Sequence, residues 1–197
     1  MGRSKTERRW LVYAGVSWDE MPIIAIDTET TGFRRSDRIV ELGMVMFKGS
    51  DIIDTYHSYL NPGFHIPEET TEIHGISDKD VADAPRFDDI RVDVMDWLCR
   101  GAPWVAHNAR FDMRMLSYDL PADKWPTGVP TLCTLLMAKK RGHSRAKLGD
   151  LAAHYNISQE NAHTAVDDAR VCGLLARKIT AGFEILDYFT KYSQEWL

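Results

Sequence analysis

Two acidic residues at the end of one apolar run raise the first chemical question. The segment at 23–32 reads IIAIDTETTG, so a short run typical of a buried strand leads into Asp27 and Glu29. Residues two apart on a strand project from the same face, and two carboxylates that close repel each other unless a cation neutralises them. Carboxylate oxygens suit Mg²⁺ or Mn²⁺. We therefore interpret the pair as part of a metal site; the alternative is a solvated loop start with two unrelated acids.

Two further acids fall on the apolar stripes of predicted helices. The segment at 109–120 is predicted to be a helix in which Asp112 lies on the same side as Leu116. The segment that starts at residue 163 is predicted to be a longer helix, and there Asp168 lies three residues before Val171, within the apolar stripe. An unpaired charge on an apolar stripe is costly, so both acids require a specific partner.

Four carboxylates are therefore predicted to converge, whereas a neighbouring acid is not. Asp167 falls on the side of its helix near Lys178, and we interpret it as a surface residue that needs no special partner. The predicted cluster consists of Asp27, Glu29, Asp112 and Asp168. Such a cluster is what a two-metal phosphoryl-transfer site requires, because two cations about 4 Å apart hold the attacking and leaving oxygens.

A histidine precedes the last of these acids. His163 lies five residues before Asp168, at the start of the same predicted helix. An imidazole, whose ordinary pKa is near 6.5, can act as a general base at neutral pH. The alternative is a surface histidine at a helix end.

The elements that must position these residues follow from periodicity and turn residues. Strands are predicted at 22–27, 38–47 and 52–62, and the short breaks between them favour antiparallel neighbours. Apolar residues recur at helical spacing from Phe87 to Leu98. The remaining predicted elements are strands at 103–108 and 129–134 and helices at 109–120, 135–141, 147–155 and 163–182. Strands followed by strands mixed with helices indicate an α/β fold, with a mixed central β-sheet flanked by helices.

Composition is typical of a globular protein. The chain has 197 residues, of which 44% are hydrophobic and 27% charged, enough for one domain with a sizeable core. No apolar run is long enough to cross a membrane, and the basic first residues are not followed by a secretory signal. Three cysteines fit neither a zinc site nor a disulfide framework, so we expect a cytoplasmic protein. The net charge of −5 implies that any nucleic-acid binding is local.

Three segments resemble the motifs of the DnaQ-like exonuclease superfamily. They are DTETTG at 27–32, HNARFD at 107–112 and HTAVDD at 163–168, in that order. The intervening RIVELGMV, YLNP and IPEETTEIHGISD also resemble the proofreading epsilon subunit of bacterial DNA polymerase III and RNase T-like exonucleases. The similarity extends from about residue 22 to 181, and the histidine five residues before the last aspartate is typical of the subtype with a histidine base, DEDDh.

The resemblance implies a fold, a reaction and a set of roles. The fold is RNase H-like, and the reaction is the stepwise 3′→5′ removal of nucleoside monophosphates. Two Mg²⁺ or Mn²⁺ ions would be held by Asp27, Glu29, Asp112 and Asp168, with Asp27 bridging both. His163 would deprotonate the water that attacks the terminal phosphodiester. The exonuclease domain would span 21–182, with an N-terminal arm at 1–20 and a C-terminal helix or tail at 183–197.

Residues beside the motifs are candidates for binding the terminal nucleotide. They are Thr30, Thr31, Gly32, Phe33, His74, His107, Asn108 and Phe111. Five of them also have a structural interpretation: a turn at 30–32, a core position for Phe111 and a buried structural role for His74. The basic residues Arg34, Arg35 and Arg38 and the segment HSRAK at 143–147 could contact phosphates, although a solvated basic loop is the favoured interpretation.

Three functions stay open at this point. The favoured one is a 3′→5′ exonuclease on single-stranded DNA, in proofreading or repair, and the second is an RNA 3′-end exonuclease of RNase T-like type. The third is a non-catalytic module that binds nucleic acid or a polymerase, against which the complete set of acids and the histidine argues. A nucleotide triphosphatase is disfavoured because the sequence has no G-x-x-x-x-G-K-[ST] loop.

The expected partners follow from these functions. The first is the 3′ end of a single-stranded nucleic acid, and a polymerase or a second copy of the chain could also bind. The sequence shows no long polymerase-binding tail after the predicted domain, which makes a free-standing exonuclease of a bacterium or a phage at least as plausible as a replicative subunit.

Overall fold

Five strands form one mixed sheet in the order β3-β2-β1-β4-β5. A computed structural model describes residues 20–181 except 122, 124 and 127. The strands are β1 (Pro22–Thr30), β2 (Ile39–Lys48), β3 (Asp51–Tyr59), β4 (Trp104–Ala106) and β5 (Thr131–Cys133). The first three are antiparallel neighbours, whereas β4 pairs in parallel with both β1 and β5. The predicted α/β fold with a mixed sheet is confirmed.

Helices flank this sheet. They are α1 (Glu68–His74), α2 (Phe87–Leu98), α3 (Ala109–Asp119), α4 (Thr134–Lys140), α5 (Leu148–His154) and α6 (Ala165–Thr180). Within the described residues, the helices predicted from apolar periodicity are all present. The sequence predicts no element at α1, because EETTEIH is short and has no apolar stripe.

Alternation along β1 separates two cores on the two faces of the sheet. Ile23 and Ala25 pack in the cluster that contains the apolar side of α6. Ile24 and Ile26 pack on the opposite face with residues of α2 and α3. Side chains two apart on a strand share a face, so Asp27 and Glu29 continue the face covered by α6, and Thr28 continues the face covered by α3.

Helix α6 lies close against β2 at two glycines, Gly43 of the strand near the start of the helix and Gly173 in the middle of the helix. A Cβ built at Gly43 would lie 2.3 Å from the carbonyl carbon of Ala165, and one at Gly173 would lie 2.3 Å from Cε2 of Phe47. Gly43 is also the partner of Asp27 in the β1–β2 ladder. The absence of a side chain there allows the N-terminus of α6 to approach the acidic end of β1.

Two of the predicted regions fall outside the described residues. They are the N-terminal arm at 1–20, of which only Glu20 is described, and the C-terminal helix or tail at 183–197. Within the described part of the chain, no helix is long and apolar enough to cross a membrane.

Candidate active site

The end of β1 presents the first two acids. Asp27 and Glu29 are half-buried and project toward α6, as their strand positions predict. The ladder with β2 shifts register directly after Glu29, between that residue and Thr30. The regular strand therefore ends at the acidic pair.

Helix α3 brings a third acid to the opposite side of β1. Asp112 is 2% exposed, and its Oδ1 accepts a hydrogen bond from Thr28 Oγ1 at 2.9 Å. The helix begins after Asn108, whose φ of 67° places it in the left-handed region. This sharp turn from β4 into α3 directs the first turn of the helix, which carries Asp112, toward the end of β1.

Helix α6 brings the fourth acid. Asp168 lies in its first turn and is 8% exposed. Its Oδ1 accepts a hydrogen bond from Gln159 Nε2 at 2.7 Å. Gln159 belongs to the loop before α6, so this loop fixes one oxygen of Asp168.

The interpretation of Asp167 as a surface acid is wrong. Asp167 is buried, and its carboxylate accepts hydrogen bonds from the backbone N–H of Asn161 at 3.0 Å and from Arg170 Nε at 2.8 Å. The loop before α6 folds over the first turn of the helix. A helical projection of 165–180 does not include this loop and therefore cannot show that it covers Asp167. Asp167 is thus a structural acid neutralised by Arg170, in contrast to Asp168.

His163 lies beside two of the acids. One ring nitrogen of His163 and one oxygen each of Glu29 and Asp168 all lie within 4.8 Å of one another. His163 is exposed and its φ is 67°, a left-handed conformation that is uncommon for a residue with a side chain. The chain therefore turns sharply at His163 just before α6, and the imidazole lies at the edge of the acidic cluster.

The four acids affect one another's ionisation. Burial raises the pKa of Asp27 well above its ordinary value, and the charges of Asp112, Glu29 and Asp168 raise it further. Burial, followed by the charges of Asp168, Glu41 and Asp112, raises the pKa of Glu29 to about 8. Burial also raises the pKa values of Asp112 and Asp168, although the hydrogen bonds from Thr28 and Gln159 oppose these shifts.

The donor set fits divalent cations. Among the described residues, no lysine or arginine forms an ion pair with any of the four acids. Four carboxylates that repel one another in a desolvated place require a compensating positive charge. Hard oxygen ligands favour Mg²⁺ or Mn²⁺ over softer metals. Within the described part of the chain, one group of three such side chains, Glu29, His163 and Asp168, has its ligand atoms close enough to share one ion.

The residues after the first motif form a folded turn with an exposed aromatic ring. The hydroxyl of Thr30 donates to the Gly32 carbonyl at 2.8 Å, and that of Thr31 accepts from the Arg38 N–H at 3.1 Å. Both threonines are buried, so their hydroxyls serve the turn. Phe33 is 70% exposed, and its ring centroid lies 5.7 Å from that of Phe111. The structure brings these two predicted contact residues together.

The three other predicted contact residues differ in exposure. His74 is buried; its Nδ1 accepts from the Ile76 N–H at 3.1 Å, and its ring lies beside the Thr30 backbone. Burial lowers the pKa of His74. His107 is half-buried at the end of β4 with Nδ1 2.9 Å from Thr134 Oγ1, and burial lowers its pKa to about 4. Asn108 is exposed.

Sequence reasoning missed an acid beside the cluster. Glu41 is 1% exposed and lies opposite Glu29 in the β1–β2 ladder. Its Oε1 lies 2.7 Å from His57 Nε2, and its Oε2 accepts from the Ala165 N–H at 3.1 Å. The available signal was a charged residue inside the otherwise apolar strand IVELGMVMF.

Thr28 and Gln159 were also missed. Each binds one of the predicted metal ligands through a single hydrogen bond. Nothing in their local sequence distinguishes them, because both contacts depend on the tertiary arrangement.

A family model and individual proteins match this chain. The model of the RNase T-type exonuclease family matches residues 24–175. The DNA polymerase III subunit epsilon of Treponema pallidum is 34% identical over 160 residues, which cover 78% of this chain and 74% of that protein. The PolC-type DNA polymerase III of Clostridium perfringens is 33% identical over 150 residues, 75% of this chain but only 10% of that protein.

A solved structure has the same fold. Exonuclease X in complex with 5′-overhanging duplex DNA matches 85% of this chain and 98% of its own, with a TM-score of 0.68 and 24% sequence identity. At that identity the likeness supports the fold alone. The mixed sheet and its flanking helices therefore agree with the RNase H-like fold that the sequence motifs imply.

Proposed function

This chain belongs to the exonuclease family and is a 3′→5′ exonuclease, and from this premise we propose that it releases nucleoside monophosphates from single-stranded DNA by two-metal-ion hydrolysis. The observation that carries the proposal is the convergence of four acids with no basic partner among the described residues. A site built only for structure would pair or disperse these charges.

The four acids are the proposed ligands of two Mg²⁺ or Mn²⁺ ions. They are Asp27, Glu29, Asp112 and Asp168. Bound cations would lower the pKa of the attacking water and stabilise charge at phosphorus and on the leaving 3′-oxygen. Thr28 donates to Oδ1 of Asp112 and Gln159 donates to Oδ1 of Asp168, beside the places where the metals would bind. These hydrogen bonds would fix the ligand orientation.

His163 is the proposed general base. Its exposed ring can receive a proton from water at the edge of the cluster and release it to solvent. The carboxylates of Glu29 and Asp168 beside it would stabilise the imidazolium that forms. The same positions of His163, Glu29 and Asp168 would also suit His163 as a metal ligand. The pH profile of a His163 variant distinguishes a general base from a metal ligand.

The terminal nucleotide would lie beside the turn that follows β1. Phe33 and Phe111 present an aromatic pair on which a base could stack without sequence preference. The backbone of Thr30, Thr31 and Gly32 would approach the sugar, and the His74 ring lies beside the Thr30 backbone. His107 and Asn108 would lie on the side of β4, toward the rest of the strand.

DNA is the proposed substrate because the matched relatives are DNA polymerase III proteins. For the same reason we propose that the chain acts with a polymerase, in proofreading, or in repair. This chain spans about a tenth of the PolC-type relative, so no other activity of that protein is proposed for this chain. RNA is the alternative substrate, and a direct comparison of rates decides between them.

Cleavage of labelled strands tests the proposal. Matched 5′-labelled single strands of DNA and RNA are incubated with Mg²⁺ or Mn²⁺, with EDTA in parallel. We expect a metal-dependent ladder that shortens from the 3′ end, faster on DNA, and lost in Asp27→Asn but kept in the exposed control Asp150→Asn. A faster ladder on RNA would reverse the substrate. No ladder on either strand from a folded protein would contradict the two-metal reaction.

A further inference from the structure

We propose that a groove next to the active site binds the phosphate backbone of the strand upstream of the terminal nucleotide. We call it the basic groove: a cavity of about 460 Å³ lined by His107, Leu135, Lys139, Ala146, Lys147 and Leu148. The proposal rests on the proposed function, because it concerns the same substrate. It adds a second binding site that the metal cluster and the aromatic pair do not include.

The position of the groove follows from the topology of the sheet. Strands β1, β4 and β5 are parallel neighbours, so their carboxyl ends meet at one edge. The acids occupy the end of β1, His107 follows the end of β4, and α4, which carries Lys139, follows β5 directly. A strand whose last nucleotide lies at β1 can therefore continue along this edge to the groove.

Charge favours a phosphate as the occupant. Residues 139–149 read KKRGHSRAKLG and include five lysines and arginines and no acid, in a chain whose net charge is −5. Lys139, Arg145 and Lys147 are exposed, and none of them takes part in the ion pairs found among the described residues. Unpaired cations next to a nucleolytic site are expected to neutralise backbone phosphates.

The loop that carries these cations is held in place. Arg141 donates to the Ile179 carbonyl from Nε at 3.0 Å and from Nη2 at 2.6 Å. His143 lies 2.9 Å from the hydroxyl of Tyr155, and its backbone N–H donates to the Ala138 carbonyl at 3.1 Å. Arg141 and His143 thus anchor the loop, while Lys139 and Lys147 line the groove. A fixed loop argues against the interpretation as a merely solvated basic segment.

The inner surface of the groove suits a nucleotide. Leu135, Ala146 and Leu148 provide apolar surface, and the Ala146 carbonyl lies beside the His107 ring. Burial keeps His107 neutral near pH 7, so the ring adds no charge of its own. The volume falls within the range of about 300–1,000 Å³ that is usual for small-ligand sites. Apolar surface would receive sugar or base, and the two lysines would receive phosphate.

A comparison of two substrates tests the groove. The variant is Lys139→Gln/Lys147→Gln, and the charge-matched control is Lys48→Gln/Lys178→Gln. Lys48 pairs with Pro22 at the amino end of β1, opposite the carboxyl end that carries the acids. Lys178 lies near the end of α6, and both lysines are exposed. The substrates are a single-stranded 15-mer and the p-nitrophenyl ester of thymidine 5′-monophosphate, which has no upstream phosphate.

We expect KM for the 15-mer to rise about tenfold in the groove variant with kcat nearly unchanged, because a phosphate contact away from the reacting bond contributes uniform binding. The slope of log(kcat/KM) against log salt should become shallower by about 1.4, the value for two single-strand phosphate contacts. Hydrolysis of the ester should be unchanged, and the control should match the wild type on both substrates.

The outcomes separate the two proposals. If the wild type cleaves both substrates and the groove variant keeps its KM and salt slope, the groove proposal is overturned and the loop is left for an acidic protein partner. If the ester also loses turnover in the variant, the lysines act on the reacting site and the groove proposal is again wrong. If the wild type cleaves neither substrate with metal present, it is the proposed function that fails.

Discussion

Glu41 accepts a hydrogen bond from the Ala165 N–H at 3.1 Å and thereby joins the second strand to the first residue of α6. The same side chain lies opposite Glu29 in the β1–β2 ladder and contacts His57 at 2.7 Å. One buried acid thus connects β2, which lies beside the acids of β1, to the helix that carries Asp168. A carboxylate at a helix N-terminus is also favoured by the helix dipole.

Replacement of Glu41 should therefore affect both stability and turnover. Glu41→Ala removes the acceptor at the start of α6 and leaves a buried N–H without a partner, so the free energy of unfolding should fall by about 1–3 kcal/mol. We expect kcat to fall as well, because α6 positions Asp168 and His163. Glu41→Gln keeps an oxygen acceptor, so it should keep most of the stability and most of kcat. Thermal unfolding measures the stability, and initial rates on a single strand measure the turnover. If Glu41→Ala were as active as Glu41→Gln, the contact between Glu41 and Ala165 would not position the site.

The adjacent acids Asp167 and Asp168 should separate stability from catalysis. Asp168→Asn should lower turnover on the order of 10³-fold, since a metal site contributes several kcal/mol to transition-state stabilisation. Metal-free stability should be kept or increased, because a repelled buried charge is removed. Asp167→Asn should instead lower the free energy of unfolding by about 1–3 kcal/mol, since it breaks the contact with Arg170. If Asp167→Asn and Asp168→Asn lost turnover equally, when compared at the same fraction of folded protein, this separation of a structural from a catalytic acid would be contradicted.

Much of this arrangement was predictable because it depends on local periodicity. The alternation of β1 placed Asp27 and Glu29 on one face, and the helical stripes placed Asp112 and Asp168 toward the core. The order of motifs then indicated the family and its fold. These features are encoded by residues close together in the sequence.

What sequence reasoning missed depends on loop conformation and tertiary contacts, which periodicity does not encode. Asp167 was misplaced because the loop before α6 supplies its neighbours, and Glu41 was missed because its helix partner lies 124 residues away. The left-handed His163 is a third case, since nothing in HTAVDD requires a positive φ. The loop before α6 fixes Asp167 and His163, and a long-range contact fixes Glu41; residue propensity determines none of the three.

Stability of the metal-free protein should fall as pH rises. Glu29 has an ordinary pKa of 4.5, raised to about 8 by burial and neighbouring acids, so the folded chain binds more protons than the unfolded chain between these values. The free energy of unfolding then decreases with pH across this window and levels off above it. In EDTA we expect a melting temperature lower at pH 8 than at pH 5.5 by on the order of 5 °C.

Metal should reverse this loss. Cations that bind the ionised carboxylates stabilise only the folded chain, so Mg²⁺ or Mn²⁺ should raise the melting temperature much more at pH 8 than at pH 5.5. Glu29→Gln serves as the matched variant and should flatten the dependence on pH in EDTA. A melting temperature that rises with pH in EDTA would show that these carboxylates are not repelled in the folded state.

The role of His163 should be visible in the pH profile. As a general base it must be neutral, so kcat/KM should rise with pH as the imidazole loses its proton. At saturating Mg²⁺ or Mn²⁺, where metal binding keeps the carboxylates ionised, His163→Ala should reduce the rate about 10²–10⁴-fold and remove this rising limb, and added imidazole should restore part of the activity. His65→Ala, at another exposed histidine, is the control. A variant with a reduced rate, an unchanged profile and weaker metal binding would favour the ligand role.

The exposed ring of Phe33 should contribute to strand binding without contributing to the fold. Because Phe33 is 70% exposed, Phe33→Ala should leave the melting temperature unchanged. A stacked base is worth about 1–3 kcal/mol, so KM for a single strand should rise between about 5- and 150-fold. Phe33→Tyr keeps the ring and should keep KM, and Val92→Ala, at another highly exposed apolar residue, is the matched control. An unchanged KM in Phe33→Ala would remove the Phe33–Phe111 pair from nucleotide binding and leave Phe111 as a packing residue of its core.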